Sequence, residues 1–191
     1  MKNFIKKIIK EKKDRGFTIL ETLVAIFILV LSITGPMVFA QTGLRTAFLA
    51  RDQITAFFLA QDVIETIKNL RDTNSLEGKT EWLDGIFVCN QGINPTCLIS
   101  VDTTVADPVV AECESGICPI LETNSDGKFG YEFSASDSSD SRFRRNVYIT
   151  EIVPDAELQI VVEVTWTSNV RVGDSRIVVQ ENIYNWIPKI Q

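Results

Sequence analysis

From Leu23 to Ala40 the chain carries no charged side chain, and only Ser32, Thr34, Gly35 and Pro36 interrupt its apolar character. Eighteen such residues lie near the lower limit for crossing a bilayer as a helix, and starting the run at Phe17 makes the span comfortable, with Glu21 as its one exception. In front of it lie seven basic residues (Lys2, Lys6, Lys7, Lys10, Lys12, Lys13, Arg15) against two acidic ones (Glu11, Asp14). A basic flank before an apolar run reads as the cytoplasmic side of a membrane segment. The whole chain is −6, so the acid excess lies entirely beyond this flank. An acidic remainder argues against a nucleic-acid partner, whose phosphates select basic surfaces.

Past Ala40 the pattern becomes amphipathic. Leu44, Ala47, Phe48, Ile54, Phe58, Val63, Ile64, Ile67 and Leu70 recur mostly at steps of three and four, as on a helix with one buried face. The expectation is one nearly continuous helix from about Thr18 to Leu70, with a kink at Gly35-Pro36. Residues 73–85 read as a polar linker. Short β-type runs follow at Ile86–Cys89, Thr96–Val101 and Tyr131–Phe133, with SASDSSDS at 134–141 read as a loop. The last fifty residues alternate most clearly. Val147 and Ile149 share one face, Leu158, Ile160, Val162, Val164 and Trp166 another, and Arg176–Trp186 follows as the second arm of a hairpin. A long helix before an antiparallel sheet is an α+β fold, with the helix's second half packed across the sheet.

The chain has no histidine, which removes Ser-His-Asp and Cys-His catalysis and most zinc chemistry. Cys89, Cys97, Cys113 and Cys118 all lie beyond the apolar run, an even count that suggests two disulfides in an oxidising compartment. Cys89 and Cys97 are too far apart for a zinc pair. Short loops close most readily, so Cys89–Cys97 and Cys113–Cys118 are the expected pairs. The acid pairs Asp137/Asp140 and Glu112/Glu114 read as solvated loop acids. Asn124-x-Asp126-x-Lys128 starts like a calcium loop but has Phe129 where the turn glycine belongs and Ala135 where the closing glutamate belongs, so a tight turn at Asp126-Gly127 is expected. No catalytic residue, metal or cofactor is expected.

The string Arg15-Gly16-Phe17-Thr18-Ile19-Leu20-Glu21-Thr22 carries the chemistry. Gly16 lets a peptidase approach the following bond. A carboxylate within an apolar helix is unfavourable and usually functional. Here the sequence resembles the precursors of type IV pilins and type II secretion pseudopilins. The resemblance covers Arg15 to Ala40, with Ile19-Leu20 in place of the commoner Leu-Ile order. It implies cleavage by prepilin peptidase between Gly16 and Phe17, and methylation of the Phe17 amine. It implies pairing of Glu21 with the N-terminal amine of an adjacent subunit, and a helix that passes from the bilayer to a filament core. The expected divisions are a leader at 1–16, a transmembrane or filament-core helix at 17–40, an amphipathic helix at 41–71 and an extracytoplasmic head at 72–191. The expected partners are the peptidase, other pilin or pseudopilin subunits, an inner-membrane assembly platform and the lipid bilayer. Val162-Glu163-Val164-Thr165-Trp166 and Asn185-Trp186 also resemble the heads of minor subunits of the V or I kind. A pseudopilin of a secretion system is the alternative to a pilus subunit. A secretory signal cut after Ala40 and a plain single-span anchor both leave Glu21 unexplained.

Overall fold

A computed structural model describes residues 16–86, 89, 96–100, 108–113, 116–131, 138–168 and 173–186. The elements are helix α1 (Ile19–Leu76) and strands β1 (Thr96–Ser100), β2 (Val109–Glu112), β3 (Ile120–Asn124), β4 (Phe129–Gly130), β5 (Ser138–Val153), β6 (Glu157–Thr167) and β7 (Asp174–Tyr184). The fold is α+β: one long N-terminal helix and a seven-stranded antiparallel sheet. The chain divides into two units, Met1–Thr46 and Ala47–Gln191.

In the first unit the described residues are all exposed, and α1 runs through Pro36 without a break. Pro36 has no N–H to donate. Thr34 Oγ1 donates back to Val30 O at 2.7 Å, and Ser32 Oγ to Leu29 O at 2.8 Å, so the hydroxyls of this apolar stretch are satisfied by the helix itself.

In the second unit, β5 is the spine of the sheet. One edge of β5 pairs with β6, which pairs with β7; the other edge is shared by β3 and β1, which pair in turn with β4 and β2. The alternation expected of β6 is observed: Leu158, Ile160, Val162, Val164 and Trp166 all point into the core. They pack with the buried stripe of α1, which contains Ala56, Leu59, Val63, Ile67 and Leu70. That stripe is not the one read from the sequence. Val63, Ile64, Ile67 and Leu70 are buried as expected, but Leu44, Phe48, Ile54 and Phe58 are exposed. The step from Phe58 to Val63 is five residues, which is out of phase for one helical face. The buried stripe instead continues upstream through Leu59, Ala56 and Asp52.

Other differences have local causes. The helix ends at Leu76, not Leu70, because Gly78 (φ 69°) closes it: Gly78 N–H donates to Ser75 O and Lys79 N–H to Asn74 O. Asn74 is buried and donates to Trp82 O and Asp84 O, so the polar segment 71–76 is tied down. Ile86 and Cys89 close tight i→i−3 turns, and residues 87 and 88 of the strand expected there lie outside those described. Ser138, Ser139 and Asp140, read as part of a loop, belong to β5 and pair with Asn124, Thr123 and Glu122. Phe129–Gly130 replaces the expected strand at Tyr131–Phe133, whose last two residues lie outside those described. Strands β2 and β3 were not anticipated.

Arg145 is the unexpected core residue, 2% exposed, on the same face of β5 as Phe143 and Val147. Its guanidinium donates to Leu59 O (3.0 Å) and Asp62 Oδ2 (3.3 Å) on α1 and to Ile99 O (2.7 Å) on β1. It also lies over the Tyr131 ring. Burial pushes the Tyr131 phenol above its usual value, against the opposing pull of Arg145. A second pair, Asp52 with Arg142 at 3.2 Å, ties the upstream end of the buried stripe to β5. Replacing Arg145 by Ala is expected to cost about 3 kcal/mol, because one buried cation satisfies acceptors on two elements. Chemical denaturation of the detergent-solubilised chain measures this, and an unshifted midpoint would contradict the role.

Candidate functional site

The site begins where α1 begins. Thr18 is the N-cap: its Oγ1 accepts the Glu21 N–H at 3.2 Å, and its carbonyl accepts the Thr22 N–H at 3.1 Å. Glu21 therefore stands at the third helical position, in the first turn, where an acid suits the positive end of the helix dipole. Thr18-x-x-Glu21 is the spacing of a capping box, a reading that competes with an assembly role and was missed from the sequence. Gly16 lies just outside the helix, with open space around it. Phe17 is 76% exposed. The bond between them thus sits on accessible, non-helical backbone, as a peptidase substrate requires. Residues 1–15 lie outside those described.

Glu21 opens a helix that is long and apolar enough to cross a membrane, the only one among the described residues that is. Large apolar side chains from Phe17 to Phe39 are exposed throughout. Such a surface is stable in lipid or against other protein, not in water.

The family model described as the prokaryotic N-terminal methylation motif matches residues 12–35. The match covers the end of the basic flank, Gly16, Phe17, Glu21 and the apolar run as far as Gly35. The match supports a protein of type IV pilin or pseudopilin type, a structural family. No curated protein matches the chain significantly, and no solved structure does.

In the second unit the cysteines form two bonds, Cys89–Cys97 and Cys113–Cys118. All four are buried, and Cys118 Sγ lies 3.3 Å from Cys97 O. A disulfide sulfur has no hydrogen to give, so this is a packing contact. The two bonds are therefore neighbours, one on β1 and one in the turn that leads from β2 to β3. Asn124–Lys128 is a tight turn between β3 and β4: Gly127 N–H donates to Asn124 O, and Lys128 N–H to the Asn124 side chain. Asp140 is exposed on β5 and Glu112 on β2, while Asp137 and Glu114 lie outside the described residues. No group of three His, Cys, Asp or Glu able to hold a metal occurs among the described residues.

A cavity of about 950 Å³ is lined by α1, the end of β1, the β3–β4 turn and β7. Its charged lining is mixed: Asp62, Glu65 and Glu181 face Lys68 and Lys128, with Lys68 already paired to Glu181. A smaller apolar groove of about 410 Å³ is bounded by Ile54, Phe57, Phe58 and Ile177. Arg145 and Asp52 escaped the sequence reading, although both lie on the inward parity of otherwise apolar patterns. Peptide mapping of the unreduced protein is expected to return Cys89 joined to Cys97 and Cys113 joined to Cys118. A fragment joining Cys89 to Cys113 or Cys118 would refute the pairing.

Proposed function

We propose that the chain is a structural subunit of a type IV pilus-like filament. In this reading residues 1–16 form a cytoplasmic leader that prepilin peptidase removes after Gly16, and the Phe17 amine is then methylated. Residues 17–40 hold the subunit in the inner membrane with its N-terminus inside, and later pack in the filament core. The cysteine-bearing β-rich unit faces away from the cytoplasm. One observation carries the proposal: the methylation motif runs through an exposed Gly16 and Phe17 into a helix that presents an exposed apolar surface. The seven basic residues before Gly16 support the orientation.

Glu21 is assigned to assembly. Once the leader is gone, no basic side chain lies within two turns of it, and the new Phe17 amine of an adjacent subunit neutralises it. Its partners are the peptidase, other pilin subunits and an inner-membrane assembly platform. The protein acts without a cofactor and without catalysis.

Mass spectrometry of the mature protein tests the processing: an N-methylated Phe17 is expected, and Met1 or Gln41 as the first residue would sink the proposal. Glu21→Ala is expected to leave the chain in the membrane and largely absent from sheared filaments. Recovery in filaments at the parent level would remove Glu21 from assembly. Deleting the gene separates the pilus from the secretion reading, since loss of surface fibres supports the first and loss of secreted protein the second.

A further inference from the structure

Two stripes on α1 have the same spacing. Glu21, Val24, Ile28 and Leu31 form one, at steps of three, four and three; Phe48, Arg51, Thr55 and Phe58 form the other, at the same steps. Both stripes are surface features: Glu21, Val24, Ile28 and Leu31 are exposed, as are Phe48, Arg51 and Phe58, with Thr55 half-exposed. Each stripe carries one charge, and the charges are opposite. Among the described residues neither Glu21 nor Arg51 is in an ion pair.

We infer that the stripe Phe48–Arg51–Thr55–Phe58 is the docking surface for the stripe Glu21–Val24–Ile28–Leu31 of a second copy, packed parallel, with Glu21 of one copy bound to Arg51 of the other. This rests on the reading that copies of the chain assemble through their apolar helices, and it adds the register. Level alignment places Ile28 against Thr55 and Leu31 against Phe58, so that apolar side chains cover the aromatic that the head leaves exposed. Charge decides the direction. In the parallel arrangement Glu21 lies level with Phe48, three residues or about 4.5 Å along the axis from Arg51, within the reach of an arginine side chain. The antiparallel arrangement puts Glu21 level with Phe58, seven residues or about 10 Å from Arg51. The parallel register therefore adds a guanidinium to the Phe17 amine as counter-charge for Glu21, and the antiparallel one leaves Arg51 out of reach. A carboxylate offers several lone pairs, so a guanidinium from one neighbour and the Phe17 amine of another can share it.

The test uses the full chain, expressed with its processing peptidase and allowed to assemble. The double variant Ile28→Cys with Thr55→Cys is oxidised on cells and read by mass on a non-reducing gel. The native cysteines are buried in disulfides and do not interfere. A ladder of cross-linked copies is expected. Adding Arg51→Glu is expected to reduce that ladder about tenfold, the scale of one lost charge-assisted contact. Arg51→Lys, which keeps the cation, is expected to retain the ladder. Assembled filaments in which Ile28→Cys with Thr55→Cys gives only monomer would overturn the register while leaving the pilin reading intact, as would a stripe that meets only lipid or solvent. Failure of the parent chain to assemble at all would remove both.

Discussion

Exposed apolar surface on a helix must be covered by something other than water, and this requirement governs the first half of α1. From Phe17 to Phe39 no described side chain finds cover within the chain itself. A helix tolerates this because its backbone hydrogen bonds are internal, so lipid can surround it at no cost in unsatisfied polar groups. The hydroxyls of Thr22, Ser32 and Thr34 obey the same rule by returning to carbonyls three or four residues back. In the proposed filament the same surface serves a second environment without redesign. Lipid chains and neighbouring apolar helices are near-equivalent solvents for Leu, Ile and Val, so moving from one to the other turns on packing and on the few polar groups present. Glu21 is the conspicuous one, and its energetic balance is what distinguishes the two states.

The second unit solves a different problem: it must hold its helical segment firmly through a small contact. Nineteen buried apolar side chains, seven on α1 and twelve on the sheet, supply the bulk of the burial. Apolar contact is non-directional, however, and does not by itself specify how a helix lies on a sheet. Directionality comes from the polar groups at the same interface. Arg145 reaches a helix carbonyl and a β1 carbonyl at once, Asp52 meets Arg142, and Asn74 holds the 82–84 turn against the end of the helix. Removing Arg145 or Arg142 leaves a partner that burial has already stripped of water.

Periodicity made some elements readable and hid others. Strand β6 was legible because every second residue from Leu158 to Trp166 is apolar and the other set is mostly polar, which admits one orientation. The start of α1 was legible because an apolar run with a basic flank has few meanings. Its end was not, since Arg71–Ser75 has no apolar period and is held instead by the side chain of Asn74 and by Gly78. Ser138–Asp140 failed for the opposite reason. Its Ser and Asp side chains contribute little, and its strand character comes wholly from backbone pairing with β3. The buried stripe of α1 was misplaced because apolar residues occur on both faces between Leu44 and Phe58. Counting them at steps of three and four cannot say which face meets the sheet. The charged residue Asp52 marks the correct face, although composition would assign it to solvent.

The candidate site shows the same division. Gly16, Phe17 and Glu21 are recognisable as a string because, in the proposed function, a peptidase and a neighbouring subunit both read local sequence. Thr18 looks unimportant in that string until its hydroxyl is found capping the helix that Glu21 opens. Cap and acid act on the same first turn. Glu21 sits favourably against the helix dipole in an isolated subunit, so the energy gained on assembly is the difference between that setting and a true counter-cation, not the full strength of an ion pair. A subunit held by such a difference can wait in the membrane and still be drawn into a filament when a cation is offered. This is the behaviour a polymerising precursor needs, and it depends on the cap as much as on the acid.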